Sequence, residues 1–266
     1  MTTPTIQITR GKKAAPVRAV IYGNPGVGKT TLAAGLPGAL ILDYEVGSNE
    51  IDTDRITIKD SDHEKEYQKH RDTIHALATN KIRGYKTIVI DTIDAVENVI
   101  AKKVLRDQKV ASIEDIGYGK GYTYLKEAFL EFLANLGAIV EAGMHIVCLC
   151  HSDIKKFAPP DKSSAYDTYT LRLHKANADR LEDWATMLLF MQLDIRVEKG
   201  KDGRMRGTGG DERYLYTQPS AAWKAKNRYA LEFALTNLKD NKQETLDSLE
   251  NIFLFTNNQN IDIVAI

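Results

Sequence analysis

Cysteine is scarce: two residues in 266, Cys148 and Cys150. They stand one residue apart inside an apolar run and are expected on opposite faces of a strand, unable to bridge each other. That excludes a scaffold built on disulfides and fits small core residues of a reducing compartment. Net charge is also missing. The 36 basic and 36 acidic residues cancel, so the whole molecule has no long-range field to draw it to DNA or to an acidic membrane. Any nucleic-acid binding must come from local loops. No apolar run approaches membrane-spanning length, and Met1-Thr2-Thr3-Pro4 lacks the apolar core of a signal peptide. A soluble cytoplasmic protein with no membrane partner is the expectation. There is no internal repeat, and the length suits one core with decorations.

What the chain does have is Gly23-Asn24-Pro25-Gly26-Val27-Gly28-Lys29-Thr30, which fits G-x-x-x-x-G-K-[ST]. An apolar run, Val17-Arg18-Ala19-Val20-Ile21-Tyr22, precedes it, and helix-forming Thr31-Leu32-Ala33-Ala34 follows. That is the strand, loop and helix context a phosphate-binding P-loop requires. Gly23, Gly26 and Gly28 let the backbone curl so that successive N–H groups face one anion, and the helix beginning near Lys29 adds its positive end. Lys29 is expected to reach the β- and γ-phosphates and Thr30 to hold Mg²⁺, with Asn24, Pro25, Val27 and Thr31 completing the nucleotide site. ATP and Mg²⁺ are therefore the expected cofactors.

Apolar runs alternate with helical patterns along the rest of the chain. Strands are expected at 39–43, 55–58, 87–91, 144–151 and 186–192, with helices at 62–80, 93–106, 122–141, 176–184 and 241–255. Segments 107–121 and 152–172 read as long loops, and arms at 195–197 and 214–216 flank a glycine-rich hairpin tip at 200–210. The expectation is an α/β fold with a mostly parallel sheet, ligands binding at the carboxyl ends of its strands. Its parts are an N-terminal arm over 1–16, an ATPase core over 17–240 carrying a C-terminal hairpin, and a helix and tail over 241–266. The P-loop, Asp43, Asp91 and His151 all fall at strand ends.

Asp91 closes a buried run, Thr87-Ile88-Val89-Ile90-Asp91, where a carboxylate can hold the water shell of Mg²⁺; it can also cap the helix after it. The next residue is Thr92, so a water-orienting glutamate must lie elsewhere. Glu45, just past the second strand, is the candidate base, against the reading of an ordinary loop acid. His151 can sense the γ-phosphate or be a satisfied core histidine. Lys224, Lys226 and Arg228 alternate, as cations on one strand face do, and a neighbouring subunit could use such a pair as a finger, against the more common reading of a solvated basic strand. His63, His70 and His75 lack the spacing of a helical metal pair and read as a solvated face.

The P-loop, Leu42-Asp43-Tyr44-Glu45, Ile88-Val89-Ile90-Asp91, Gly117-Tyr118-Gly119-Lys120-Gly121-Tyr122, the strand ending in His151, and Lys226-Asn227-Arg228 follow one another in an order that resembles the phage RecA-like nucleotide-binding ATPases of the single-strand-annealing group, over roughly residues 17–232. The resemblance implies a RecA-like P-loop core with Glu45 as catalytic glutamate and His151 as γ-phosphate sensor. It also implies that Lys226 and Arg228 act in trans in a homo-oligomeric ring or filament with active sites at subunit interfaces. The loops at 107–121 and 152–172 would contact single-stranded DNA through Tyr118, Lys120, Lys155, Lys156 and Lys162. The implied activity is DNA-stimulated ATP hydrolysis in recombination or annealing, with a single-strand DNA-binding protein as a further partner, in the cytoplasm of a bacterium or a phage host. Two rivals stand beside it: a small-molecule P-loop kinase with Arg196, Arg204 and Arg206 on its lid, and a non-hydrolysing nucleotide switch recruiting a replication partner through residues 261–266.

Overall fold

Runs buried on both faces need helices above and below them, and the chain supplies those helices between the strands. In a computed structural model that describes residues 10–11, 15–161, 163–200, 202–229, 231, 234–236 and 242–255, six parallel strands lie side by side. They are β1 (Arg18–Gly23), β2 (Ala39–Asp43), β3 (Asp54–Thr57), β4 (Thr87–Asp91), β5 (His145–Phe157) and, after β6 (Tyr166–Leu171), β7 (Met187–Lys199). Completing the set are β8 (Met205–Tyr216), β9 (Lys226–Asn227) and β10 (Ala234–Thr236). The spatial order is β10-β8-β7-β1-β5-β4-β2-β3, with β6 paired to β5 and β9 to β7. β8 and β10 extend the sheet antiparallel at one end. This is a mostly parallel sheet flanked by helices on both faces, as the sequence leads one to expect. The strand carrying Asp91 is separated from the P-loop strand by β5.

The period of two sorts each strand between two apolar layers. Val20, Tyr22, Leu40, Leu42, Ile88 and Ile90 pack with Phe129, Phe132 and Leu136, beneath α2 (His63–Ala78), α3 (Ile93–Gln108), α4 (Lys120–Glu141) and α5 (Lys175–Trp184). Ala19, Ile21, Val89, Val147 and Leu189 face the other way, onto α1 (Lys29–Ala34) and α6 (Lys242–Phe255). α6 packs so closely on α1 that a β-carbon at Gly35 would lie 2.9 Å from Leu246. Cys148 and Cys150 both belong to the first layer and are free and buried. Residues i and i+2 share a strand face, so the expectation of opposite faces is corrected.

Other expectations shift as well. Segment 152–172 is not a loop: β5 runs on past the sheet and returns as β6, pairing Ser152 with Leu171 and Phe157 with Tyr166. Its outer part alternates without an apolar face because both faces meet solvent there, whereas Tyr169 and Leu171 pack onto the core. The second hairpin turns at 200–204, with Lys199 opposite Met205. Gly207, Gly209 and Gly210 lie within β8, and a β-carbon at Gly209 would meet Asp194 O at 2.6 Å. Segment 107–121 holds two short 3₁₀ turns, Ile113–Asp115 and Gly117–Gly119. His70 does not belong to a solvated face, being buried while His63 and His75 are exposed. Residues 1–9, Lys162 and 256–266 lie outside the described residues. Among those described, no helix is long and apolar enough to cross a membrane.

Candidate functional site

β1 delivers Gly23 to the carboxyl edge of the sheet, between His151 of β5 and Met191 of β7. A β-carbon on Gly23 would fall 2.1 Å from Met191 O, so only glycine lets the two strands pack there. The loop then turns through Gly26 and Gly28, whose φ angles of 75° and 99° favour glycine. Lys29 is buried, and its Nζ donates to Gly23 O and Asn24 O, both at 3.0 Å. Burial pushes the lysine below its ordinary pKa, with nearby Asp91 opposing. Thr30 Oγ1 donates to Asp91 Oδ2 at 2.8 Å.

Thr92, not Asp91, caps α3, its hydroxyl accepting from Ala95 N at 3.3 Å. Asp91 is thereby free to face Thr30. Its carboxyl is pushed up to about 6, chiefly by burial and further by Asp43 and Glu45, while the Thr30 bond and Lys29 pull it down. A buried carboxylate beside a threonine hydroxyl, with Asp43 and Glu45 against the single cation Lys29, is short of positive charge. The residues therefore fit a hard divalent cation with oxygen ligands.

Asp43 shapes the neighbouring loop. Its Oδ1 accepts from the N–H groups of Glu45 at 3.0 Å and Val46 at 2.6 Å, and its Oδ2 from Ser48 N at 3.1 Å and Ser48 Oγ at 2.5 Å. Burial raises the pKa of this carboxyl, but the bonds from Ser48 and the loop amides outweigh it and hold the group below its usual range. The chain passes through Val46 at φ 63° and leaves Glu45 exposed above the edge. Glu45, Asp94 and His151 bring one ligand atom each within 4.8 Å of one another.

His151 is locked from behind. Its Nδ1 lies 2.9 Å from Asp94 Oδ2, and its backbone N–H donates to Asp94 Oδ1 at 3.1 Å. Arg172 Nη2 donates to the same carboxylate at 2.8 Å. Burial raises the pKa of Asp94, yet the bonds from His151 and Arg172 dominate and keep it far below the normal carboxylate range. With Nδ1 engaged, Nε2 is the ring atom left for other chemistry. Ser152, next in β5, donates from Oγ to Asn24 Oδ1 at 2.6 Å, tying the β5–β6 hairpin to the P-loop.

The fold thus gathers the P-loop, Asp91, Glu45 and His151 at one edge. It places Lys226 and Arg228 elsewhere: Lys226 pairs with Leu188, toward the amino ends of the parallel strands and away from the Gly23–Met191 register. Lys226 Nζ donates to the Glu182 carbonyl, Lys224 Nζ bonds the Glu182 carboxylate at 2.9 Å, and Arg228 is exposed. Tyr118 and Lys120 are exposed before and at the start of α4, and Lys155 and Lys156 are exposed on the β5–β6 hairpin. The supporting residues Asn24 (as a side-chain partner), Asp94 and Arg172 were not legible as such. An acid in the first turn after Asp91 was a usable sign for Asp94, whereas nothing local marks Arg172.

The AAA_24 family, described as an AAA domain, matches residues 15–229. Among solved structures, the chain is similar to the crystal structure of the flagellar accessory protein FlaH from Methanocaldococcus jannaschii. The two share 13% identity with a TM-score of 0.40, over 85% of this chain and 86% of that one. No curated relative matches.

Proposed function

Since this chain belongs to the AAA_24 family of AAA domains, we propose that it is a Mg²⁺-dependent ATPase of RecA-like type that assembles into a ring or filament on single-stranded DNA and serves phage-type recombination or annealing. The observation that carries the ATPase reading is the 2.8 Å bond between Thr30 and Asp91 at the same edge as Glu45 and His151. In this reading the loop amides and Lys29 hold the phosphates, and Lys29 moves from its two carbonyl partners onto the β- and γ-phosphates. Thr30 and Asp91 hold Mg²⁺, which when bound neutralises charge building on the phosphate oxygens. Glu45 accepts a proton from the attacking water as the water oxygen bonds the γ-phosphorus and the bond to the β,γ-bridging oxygen breaks. His151, oriented by Asp94, stands where it can register the γ-phosphate.

Supporting the DNA reading, the β5–β6 hairpin projects Ile154, Phe157 and Tyr166, all substantially exposed, beside Lys155 and Lys156. That mixture of stackable and cationic side chains suits single strands. Lys120 and the fully exposed Tyr118 offer a second such element, and a single-strand DNA-binding protein is a natural partner on the same substrate. Of the kinase reading's lid arginines, Arg196, Arg204 and Arg206, the first and last pair with Asp194 and Asp202 at 3.4 and 2.8 Å on an exposed hairpin. Transfer of phosphate to an added acceptor is the outcome that favours that alternative.

Steady-state phosphate release, measured with and without single-stranded DNA for the wild type and for Lys29→Ala and Glu45→Gln, tests the proposal. Hydrolysis that rises with DNA and falls at least 100-fold in both variants is expected. Absence of hydrolysis by the wild type, or phosphate passing to an added acceptor instead of water, would overturn it.

A further inference from the structure

We infer that Arg213 is a cis-acting phosphate-binding residue of the same site, supplied by β8 and contacting the polyphosphate of the nucleotide in the P-loop. The inference rests on the reading that a nucleotide occupies that loop. Arg213 stands opposite Leu193 in the β7–β8 ladder, beside a bulge between Leu193 and Ile195. It therefore lies just beyond Met191, the residue in register with Gly23. A β-carbon built on Gly28 would sit 3.0 Å from Arg213 Nη1, 3.7 Å from its Cζ and 3.6 Å from Met191 Cε. The guanidinium is thus against the backbone of the P-loop, with Met191 beside it.

Its other surroundings leave it available. Arg213 is half-buried, and among the described residues no carboxylate, carbonyl or ring holds its guanidinium. Comparable cations here are committed: Arg172 to Asp94, Lys224 to Glu182, Lys226 to the Glu182 carbonyl. A partly desolvated arginine without an acceptor is costly unless an anion arrives. The edge is otherwise rich in acids, Asp43, Glu45, Asp91 and Asp94, with Lys29 the cation held inside the loop. A polyphosphate brings several negative charges into that setting, and a planar guanidinium suits two phosphate oxygens at once. Glycine at position 28 then serves two ends: it accepts the left-handed backbone, and it leaves room for the guanidinium to lie on the loop.

The test is binding of fluorescently labelled ADP and ATP with Mg²⁺ to wild type, Arg213→Ala and Arg213→Gln, with adenosine as competitor. Both variants should lose about 10- to 100-fold in affinity for ADP and ATP, with adenosine competing as it does against wild type and nucleotide-free Tm no lower than that of wild type. Arg213→Lys, which keeps the charge but loses the planar pair of donors, should recover part of the lost affinity, and Arg213→Gln carries the test if the alanine variant fails to fold. Binding of ADP and ATP by Arg213→Gln within twofold of wild type overturns the inference, as does an equal loss for adenosine, which would place the side chain on the base. A wild type that binds neither nucleotide sinks the nucleotide site itself; a wild type that binds while Arg213→Gln is unaffected sinks the role of Arg213 alone.

Discussion

Ser152 Oγ donates to Asn24 Oδ1 over 2.6 Å, while the backbone carbonyl of Asn24 accepts from Lys29 Nζ at 3.0 Å. One residue therefore holds the exposed hairpin by its side chain and the P-loop lysine by its main chain. A strand of nucleic acid that shifts the hairpin would be felt at Asn24 before any wider motion. Ser152→Ala removes that link without touching phosphate. Basal ATPase should stay within about twofold of wild type, while stimulation by single-stranded DNA falls about 3- to 10-fold, the worth of one hydrogen bond. Full stimulation in the variant would show that the hairpin signals by another route.

Asp91 illustrates a conflict between stability and function. Its carboxylate is buried and sits near Asp43 and Glu45, which is why its pKa is raised to about 6. Without a cation, the charge is a liability. Asp91→Asn keeps the shape, so in chelator-treated, nucleotide-free protein at pH 7.5 it should raise unfolding free energy by about 1–3 kcal/mol. The same variant should lose ATPase by at least 100-fold and gain no thermal protection from Mg²⁺ with ATP. Urea denaturation and melting curves check both; a variant less stable than wild type in chelator would contradict the electrostatic account.

The parallel core was legible because burial on both faces writes continuous apolar runs, as in Thr87-Ile88-Val89-Ile90-Asp91, and because the P-loop has a fixed spacing. Strand ends then located Asp91, Glu45 and His151 without any knowledge of their contacts. The β5–β6 hairpin was not legible, since Ser152-Asp153-Ile154-Lys155-Lys156-Phe157 has no buried face to impose a period. Arg172 and Arg213 were invisible for a different reason. Arg172 reaches Asp94 from the end of that returning hairpin, and Arg213 meets Gly28 through a ladder with a bulge, so each position depends on register between distant strands.

The loop glycines separate two physical effects. Gly23 has no room, a β-carbon meeting Met191 O at 2.1 Å, whereas Gly26 has nothing within 4 Å but a φ of 75°. Gly23→Ala must push β1 from β7 and should destabilise by more than about 3 kcal/mol. Gly26→Ala carries only backbone strain, about 1–2 kcal/mol. Gly117→Ala, in open space with an ordinary φ, should be within about 0.5 kcal/mol of wild type. Chemical denaturation of the three variants should return that order, and a Gly26 cost above that of Gly23 would refute it.

Acid should weaken the fold through buried histidines. Burial lowers His70, which meets Tyr44 Oη at 2.8 Å, to about 4. His145, whose Nδ1 accepts from Val17 N at 2.9 Å, is likewise lowered to about 4 by burial. In each case the unfolded chain takes up a proton near pH 6.5 that the folded chain refuses until about pH 4. Stability is therefore complete above pH 6.5 and falls as pH drops toward 4, by up to about 3 kcal/mol per histidine. Asp91, raised to about 6, takes up a proton in the same window and offsets about one histidine. His70→Gln should therefore take about one proton off the slope between pH 6 and 5 and leave it nearly flat. Urea midpoints across that range measure the slope, and an unchanged slope would mean that His70 does not carry it.

Arg228 and Lys226 pose the question of assembly. Within its own chain Lys226 lies at the opposite end of the strands from Gly23 and is held by the Glu182 carbonyl. Arg228 is exposed, and among the described residues nothing engages its guanidinium. If the pair completes a neighbour's site, the free guanidinium should carry the larger share, because Lys226 must first give up a bond. Arg228→Ala should then lower ATPase about 100-fold or more, the scale of a lost arginine finger, against a smaller loss for Lys226→Ala. The decisive measurement mixes Arg228→Ala with Lys29→Ala, each inactive alone. Where the two meet in one assembly, an intact P-loop from the first faces an intact Arg228 from the second, so up to about a quarter of the wild-type rate should return and should grow with protein concentration. Mixtures as silent as their components would place the finger elsewhere and leave the cis cation, Arg213, as the arginine of the site.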